Sequence, residues 1–232
     1  MRRFKQYLYD FFCLLFPDPC NACGVQLVHG EQQICTRCLY DLPFTDFHLH
    51  QENAVAKLFW GRIHCHTAMA MLYFRKGSRV QELIHQLKYR SRTDLGLRMG
   101  AMLAERLAAS PFYHRADLII PVPLHIKKER KRGYNQSRLI AEGMSRVLQV
   151  PVNTSLLVRR RNTGTQTKKN RYSRFENMKA VFYAPMPEEL AAKNVILVDD
   201  VITTGATLES CGQVLLNCGV STLNIAAVAF AE

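Results

Sequence analysis

Val195-Ile196-Leu197-Val198-Asp199-Asp200-Val201-Ile202-Thr203-Thr204-Gly205-Ala206-Thr207 is the stretch from which the fold is read. Its first four residues, all aliphatic, predict a short strand buried on both faces. Two adjacent carboxylates end the strand, and a loop of hydroxyls with one glycine then opens a helix over about 207–217. Free backbone N–H groups at a helix start, aided by threonine hydroxyls, make an anion cradle suited to a monophosphate. The carboxylates stand one loop away, where they accept hydrogen bonds from sugar hydroxyls. A phosphate at one end and a diol at the other describe a ribose 5-phosphate. The stretch is not a P-loop, because no lysine follows the glycine, and it is not G-x-G-x-x-G.

The surrounding sequence keeps the same rhythm. A short apolar run at 117–120 is stopped by Pro121 and Pro123, a helix follows over 137–148, and a last apolar strand spans 224–229. Short apolar runs alternating with helices argue for an α/β domain, a parallel sheet covered on both faces. Upstream, 67–74 reads as a strand and Lys76-Gly77-Ser78 as a turn. Val80, Leu83, Ile84 and Leu87 then form one helical stripe, and Leu95, Met99, Met102, Leu103 and Leu107 another. The chain is expected to divide at about residue 46 into a small N-terminal lobe and an α/β domain over 47–232. Within the latter, 47–110 forms a hood and lead-in and 111–232 the core.

The N-terminal lobe holds Cys20-Asn21-Ala22-Cys23-Gly24 and Cys35-Thr36-Arg37-Cys38. In each pair two intervening residues make a tight turn that points both thiolates the same way. Cys20, Cys23, Cys35 and Cys38 are therefore expected to close a tetrahedral, structural zinc site, which stabilises a lobe with little core of its own. His48, His50, His64, Cys65 and His66 match no standard ligand spacing, and Cys211 and Cys218 suit core packing. Eight cysteines in 232 residues are too few for a disulfide scaffold, and a reducing, cytoplasmic setting is expected. At the N-terminus Phe4, Leu8, Phe11, Phe12 and Leu15 fall at helical spacing. They suggest a short amphipathic helix capping the domain, a membrane-surface role being the alternative; the apolar patch is too short to span a bilayer.

Hydrophobic residues at 48% and charged residues at 22% exclude wholesale disorder. The net charge of +12 favours anionic partners. Much of it lies in two segments, Lys127, Lys128, Arg130, Lys131 and Arg132, then Arg159, Arg160, Arg161, Lys168, Lys169, Arg171 and Arg174. Tyr134, Tyr172 and Phe175 interleave them, as a single-strand binder would use for stacking on bases. Neutralising a pyrophosphate is the competing use of the same cations.

The 195–207 stretch resembles the phosphoribosyl pyrophosphate (PRPP) motif of type I phosphoribosyltransferases. Together with the N-terminal cysteine pairs it resembles the competence protein F (ComF/GntX) family. Further matches are Ile120-Pro121-Val122-Pro123-Leu124, Arg132-Gly133-Tyr134-Asn135-Gln136-Ser137 and Leu87-Lys88-Tyr89, then Arg161, Thr163, Gln166, Arg171, Asn177, Ala180 and Phe182. Many relatives carry additional cysteine pairs where this chain has His48 to His66, and Lys168-Lys169 departs from the family pattern.

The resemblance implies a type I phosphoribosyltransferase-like parallel sheet flanked by helices, with a zinc-ribbon lobe. It implies that Asp199 and Asp200 hold the ribose hydroxyls, and that Thr203, Thr204, Gly205, Ala206 and Thr207 hold the 5′-phosphate. The loop of Pro121, Val122 and Pro123 would lie beside the pyrophosphate, with magnesium bridging ligand oxygens. It also implies a role with external single-stranded DNA in competence or nutrient use, with Arg159, Arg160, Arg161, Lys168, Lys169, Arg171 and Tyr172 as the candidate contacts. Other DNA-uptake proteins are implied partners. An orthodox phosphoribosyltransferase acting on a small nitrogenous base, or a PRPP sensor without turnover, are the alternatives, and no side chain announces itself as a general base.

Overall fold

The computed structural model describes residues 18–113, 115–160 and 181–231. The expected N-terminal helix, and Arg161, Lys168, Lys169, Arg171 and Tyr172, lie outside the described residues.

Four parallel strands form the central sheet: β1 (Thr67–Phe74), β2 (Leu118–Pro121), β5 (Asn194–Ile202) and β6 (Thr222–Ala231), in the order β1-β6-β5-β2. A bridge from Ile119 to Val152 adds a further parallel segment outside β2. Their residues are buried almost throughout, as strands packed on both faces require. Between the strands run helices α3 (Arg79–Tyr89), α4 (Thr93–Ala108), α5 (Ile126–Arg132), α6 (Gln136–Leu148) and α7 (Ala206–Asn217); α1 (Thr36–Asp41) and α2 (Ala54–Lys57) precede the sheet. A short antiparallel ribbon, β3 (Val158–Arg159) with β4 (Phe182–Tyr183), stands apart.

Helix α4 crosses α6 with almost no gap. A Cβ added at Gly100 would lie 2.0 Å from the carbonyl oxygen of Ile140, and one at Gly143 would lie 2.1 Å from that of Leu97. Only glycine lets the two backbones approach so closely.

Chain direction across the sheet reverses between β2 and β5. From β1 the chain moves to β2 and then to the Val152 edge; it returns to β5 and moves the other way to β6. In open parallel sheets the crevice outside the strand C-termini at such a reversal is where ligands bind.

The strand that opens the diagnostic stretch does not end at Val198. Its ladder with β6 continues through Asp199, Val201 and Ile202 opposite Ala227, Ala229 and Phe230. The two carboxylates therefore stand within β5 and not at its end, because Val201 and Ile202 supply two more positions that pair. The basic run at 127–132 is α5, a helix with no buried residue, capped by the His125 ring and ended at Gly133. Cys211 is buried in α7, as expected, and Cys218 caps that helix.

Segment 43–45 joins the cysteine lobe to the edge of the sheet. The Thr45 N–H donates to the Met71 carbonyl, the Tyr73 N–H to that of Pro43, and the Thr45 hydroxyl to that of Ala70. Arg79, at the start of α3, pairs with Asp41 at the end of α1 at 2.6 Å.

Candidate functional site

Both loops expected to hold a ligand open at the β2–β5 reversal. The Val122 N–H donates to the Val198 carbonyl at 2.9 Å, which ties the Pro121, Val122, Pro123 loop to the strand carrying the carboxylates. Successive side chains of a strand point to opposite faces, so Asp199 and Asp200 find different partners. Asp199 accepts from the Ser137 hydroxyl and from the Asp200 N–H, each at 2.8 Å. Asp200 pairs with the Lys88 ammonium at 2.9 Å. Burial, then the charge of Asp200, pushes the Asp199 carboxyl up to about 7; the Asp200 N–H, Ser137 and Lys88 pull the other way without cancelling this.

Segment 132–137 fastens these parts together. Asn135 caps α6 by accepting from the Ser137 N–H, and its amide donates to the Val122 carbonyl at 3.0 Å. Tyr134 donates its hydroxyl to the Leu87 carbonyl at 2.5 Å, which fixes the last turn of α3 where Lys88 sits. Ser137 reaches Asp199. Six consecutive residues thus link the β2 loop, the end of α3 and the first carboxylate.

The glycine of the second loop is Gly205, at φ +73°, the left-handed residue before the first turn of α7. It offers no capping side chain; Thr203, Thr204, Ala206 and Thr207 around it are exposed, and the Ala206 N–H donates to the Thr204 hydroxyl at 3.5 Å. A Cβ on Gly205 would lie 3.2 Å from the Phe59 ring. Arg62 donates to the Thr204 carbonyl at 2.9 Å and pairs with Glu209 of α7. The turn after α2 therefore holds the loop from behind.

Pro121 and Pro123 also line a cavity of about 260 Å³ with His125, Arg138, Arg159 and Arg160. Arg159 lies 5.3 Å over the Phe182 ring and Arg160 5.5 Å over that of Tyr183. Of the expected nucleic-acid contacts, these two fall within the described residues.

Four thiols converge in the N-terminal lobe. Sγ atoms of Cys20, Cys23, Cys35 and Cys38 all lie within 4.8 Å of one another, and those of Cys23 and Cys35 are 3.9 Å apart. Zn–S bonds of about 2.3 Å set tetrahedral sulfurs about 3.8 Å apart, so the cluster has the size of a tetrathiolate site. Burial raises the Cys20 thiol, but N–H groups of Cys35, Ala22 and Cys23 outweigh it and bring the group down to about 7. Such donors favour the thiolate at Cys20, while burial holds the Cys35 and Cys38 thiols above the usual range before metal binds. Among the described residues this is the one group of side chains that converges as metal ligands do. His50 pairs with Asp46 at 3.3 Å, and His66 faces the Phe112 carbonyl at 3.1 Å.

Sequence reasoning assigned no role to Lys88, Ser137, Phe59 or Arg62. The first two stood in matched segments, Leu87-Lys88-Tyr89 and the run ending in Ser137, without a stated task. Arg62 and Phe59 carried no local signal, since the Thr204 that Arg62 holds lies 142 residues on.

The phosphoribosyl transferase domain model matches residues 135–232. DNA utilization protein YhgH of Shigella flexneri is 30% identical over 210 residues, 89% of this chain and 87% of that protein. Competence protein F of Haemophilus influenzae is 32% identical over 147 residues, 62% of this chain and 64% of its own. Competence protein ComFC of Bacillus subtilis is 33% identical over 102 residues, 44% of this chain and 39% of its own.

Proposed function

The chain belongs to the family of competence protein F and DNA utilization protein YhgH, and from that premise we propose that it binds magnesium–PRPP and acts on incoming single-stranded DNA. The observation that carries the reading is the joining of the Asp199–Asp200 pair, the glycine loop and the β2 loop at one strand reversal by segment 132–137. Asp199 and Asp200 accept from the ribose 2′ and 3′ hydroxyls. Thr203, Thr204, Gly205, Ala206 and Thr207 take the 5′-phosphate at the start of α7. Pro121, Val122 and Pro123 lie along the pyrophosphate, which arrives with its magnesium as one substrate.

In a turnover at this site an acceptor atom bonds to ribose C1 as the bond from C1 to the pyrophosphate oxygen breaks, the pyrophosphate leaving with the bonding pair. The chain contributes position and electrostatics to such a step.

In the N-terminal lobe, which this reading bounds at about residue 46, Cys20, Cys23, Cys35 and Cys38 hold zinc, a structural crosslink that leaves no open coordination position. Among the described residues no helix is long and apolar enough to cross a membrane, and the reading places the protein in the cytoplasm, where single strands arrive. Arg159 and Arg160 lead the strand toward the crevice from the cavity beside Pro121 and Pro123.

Calorimetry with magnesium–PRPP tests the core of the reading. Saturable binding by the wild type, lost in Asp199→Ala/Asp200→Ala, is expected; charged hydrogen bonds are worth about 1.5–3 kcal/mol each, so the pair should cost at least a hundredfold. An unchanged isotherm in the double variant removes the assignment. Salt-dependent binding of an oligothymidylate tests the DNA half separately.

A further inference from the structure

Resting on the reading of the crevice as a PRPP site, we propose that Lys88 is its positioning residue: its ammonium is the counter-charge that keeps the Asp199–Asp200 pair ready for the ribose diol, and Tyr134 holds it in place through Leu87.

Two consecutive carboxylates at a largely buried point repel one another and lack water to screen them. Among the described residues, Lys88 is the cation in ion-pair contact with either of them. Its side chain and that of Asp200 are only 23% and 13% exposed, so the pair works where screening is weak.

The other groups facing Asp199 do not supply a positive charge. They are the Ser137 hydroxyl from α6, the Asp200 N–H from its own strand and, from α7, the Cys211 thiol, itself raised first by burial and then by the charge of Asp199. Arg159 acts on Cys211 and is already seated over Phe182.

Lys88 is also delivered with precision. Val80, Leu83, Ile84 and Leu87 bury one face of α3, and Tyr134 clasps the Leu87 carbonyl at 2.5 Å, one residue before Lys88. Because Tyr134 precedes Asn135 and Ser137, the segment that orients Asp199 also fixes the cation of Asp200.

A ribose diol donates two O–H groups. An ionised carboxylate only accepts, whereas a protonated one presents a competing O–H. Without the ammonium the pair takes up a proton, and the site loses acceptor capacity for a reason that alkali repairs.

Lys88→Met, which keeps the aliphatic stem, Lys88→Arg and Tyr134→Phe test this by two readouts. In the unliganded protein, ¹³C titration of the aspartate carboxyls should show the pair's upper midpoint moved up by about one pH unit or more in Lys88→Met, less in Tyr134→Phe, and restored in Lys88→Arg. In calorimetry from pH 6 to 9, Lys88→Met should bind magnesium–PRPP about tenfold more weakly at pH 7 and approach the wild type at pH 9. A loss equal at every pH, unchanged affinity, or tighter binding each overturns the inference. A carboxyl titration unmoved by Lys88→Met overturns it alone and leaves the PRPP reading standing. A wild type that takes up no PRPP overturns both.

Discussion

Placing a carboxylate in a buried position beside a second one works against folding, and Asp199 shows the sign of the effect. Its group is raised to about 7 in the folded chain, first by burial and then by Asp200. The native state therefore holds its proton more tightly than the unfolded state, so stability is fully present at low pH and is lost as pH rises through about 7. Asp199→Asn keeps the shape and an acceptor for Ser137 while removing the charge. It should raise the melting temperature at pH 8, a stabilisation on the order of 4 kcal/mol given about 1.4 kcal/mol per pH unit, and the gain should shrink below pH 7 and vanish near about pH 4. The same variant should weaken PRPP binding by tenfold or more. A melting-temperature gain independent of pH speaks against this origin. Gly205 makes the opposite kind of demand: Gly205→Ala strains a left-handed backbone by about 1–2 kcal/mol and presses on Phe59. Calorimetry should find phosphate-end affinity reduced in that variant while its pH dependence stays that of the wild type.

Helices and strands carry those residues, and the α4–α6 crossing is where an element-level change should be felt furthest. A methyl at Gly143 would meet the Leu97 carbonyl oxygen at 2.1 Å, and backbone yields poorly. Gly143→Ala should therefore cost about 3 kcal/mol, read as a lower urea midpoint with unchanged slope. Because the first turn of α6 carries its cap Asn135 and Ser137 into the site, the same variant should loosen the crevice. In the cysteine lobe, Cys38→Ser should release the metal to a chromogenic chelator and open residues 18–41 to protease, with the α/β domain left folded. A zinc content unchanged by that substitution counts against the site. These elements differ in how far the sequence revealed them. Strand 67–74 and the helix beginning after Ser78 were legible because the first is a nearly unbroken apolar run and the second a helical stripe, and a serine cap with a glycine turn marks the boundary. The end of β5 was not, since charged Asp199 and Asp200 look like the close of a strand, and only the pairing of Val201 with Ala229 and Ile202 with Phe230 carries it past them. Helix α5 was hidden by its lack of any buried face. The carboxylates and the glycine loop were visible as a local run; Lys88, Phe59 and Arg62 were not, because their contacts with the site are made by folding and leave no spacing to read.

At the scale of the whole molecule the net charge of +12 has to be given a use. Arg159 and Arg160 stand at the cavity beside Pro121 and Pro123, each near an aromatic ring, an arrangement that suits a strand whose phosphates meet guanidinium groups while a base stacks on the exposed Tyr183. Contacts to phosphate carry no base information. Arg159→Ala with Arg160→Ala should therefore weaken single-strand binding equally for oligothymidylate and mixed sequences. Each phosphate contact removed from a single strand lowers the log–log salt slope by about 0.7, so the pair should flatten it by about 1.4. Tyr183→Ala should behave otherwise, losing on the order of 1–3 kcal/mol with the slope unchanged, because stacking releases no counterions. If the two arginines instead serve the pyrophosphate, magnesium–PRPP affinity falls in the double variant while the DNA slope stays that of the wild type. Measuring both ligands on the same proteins separates the two uses, and an unaltered slope would exclude these arginines as the DNA contact.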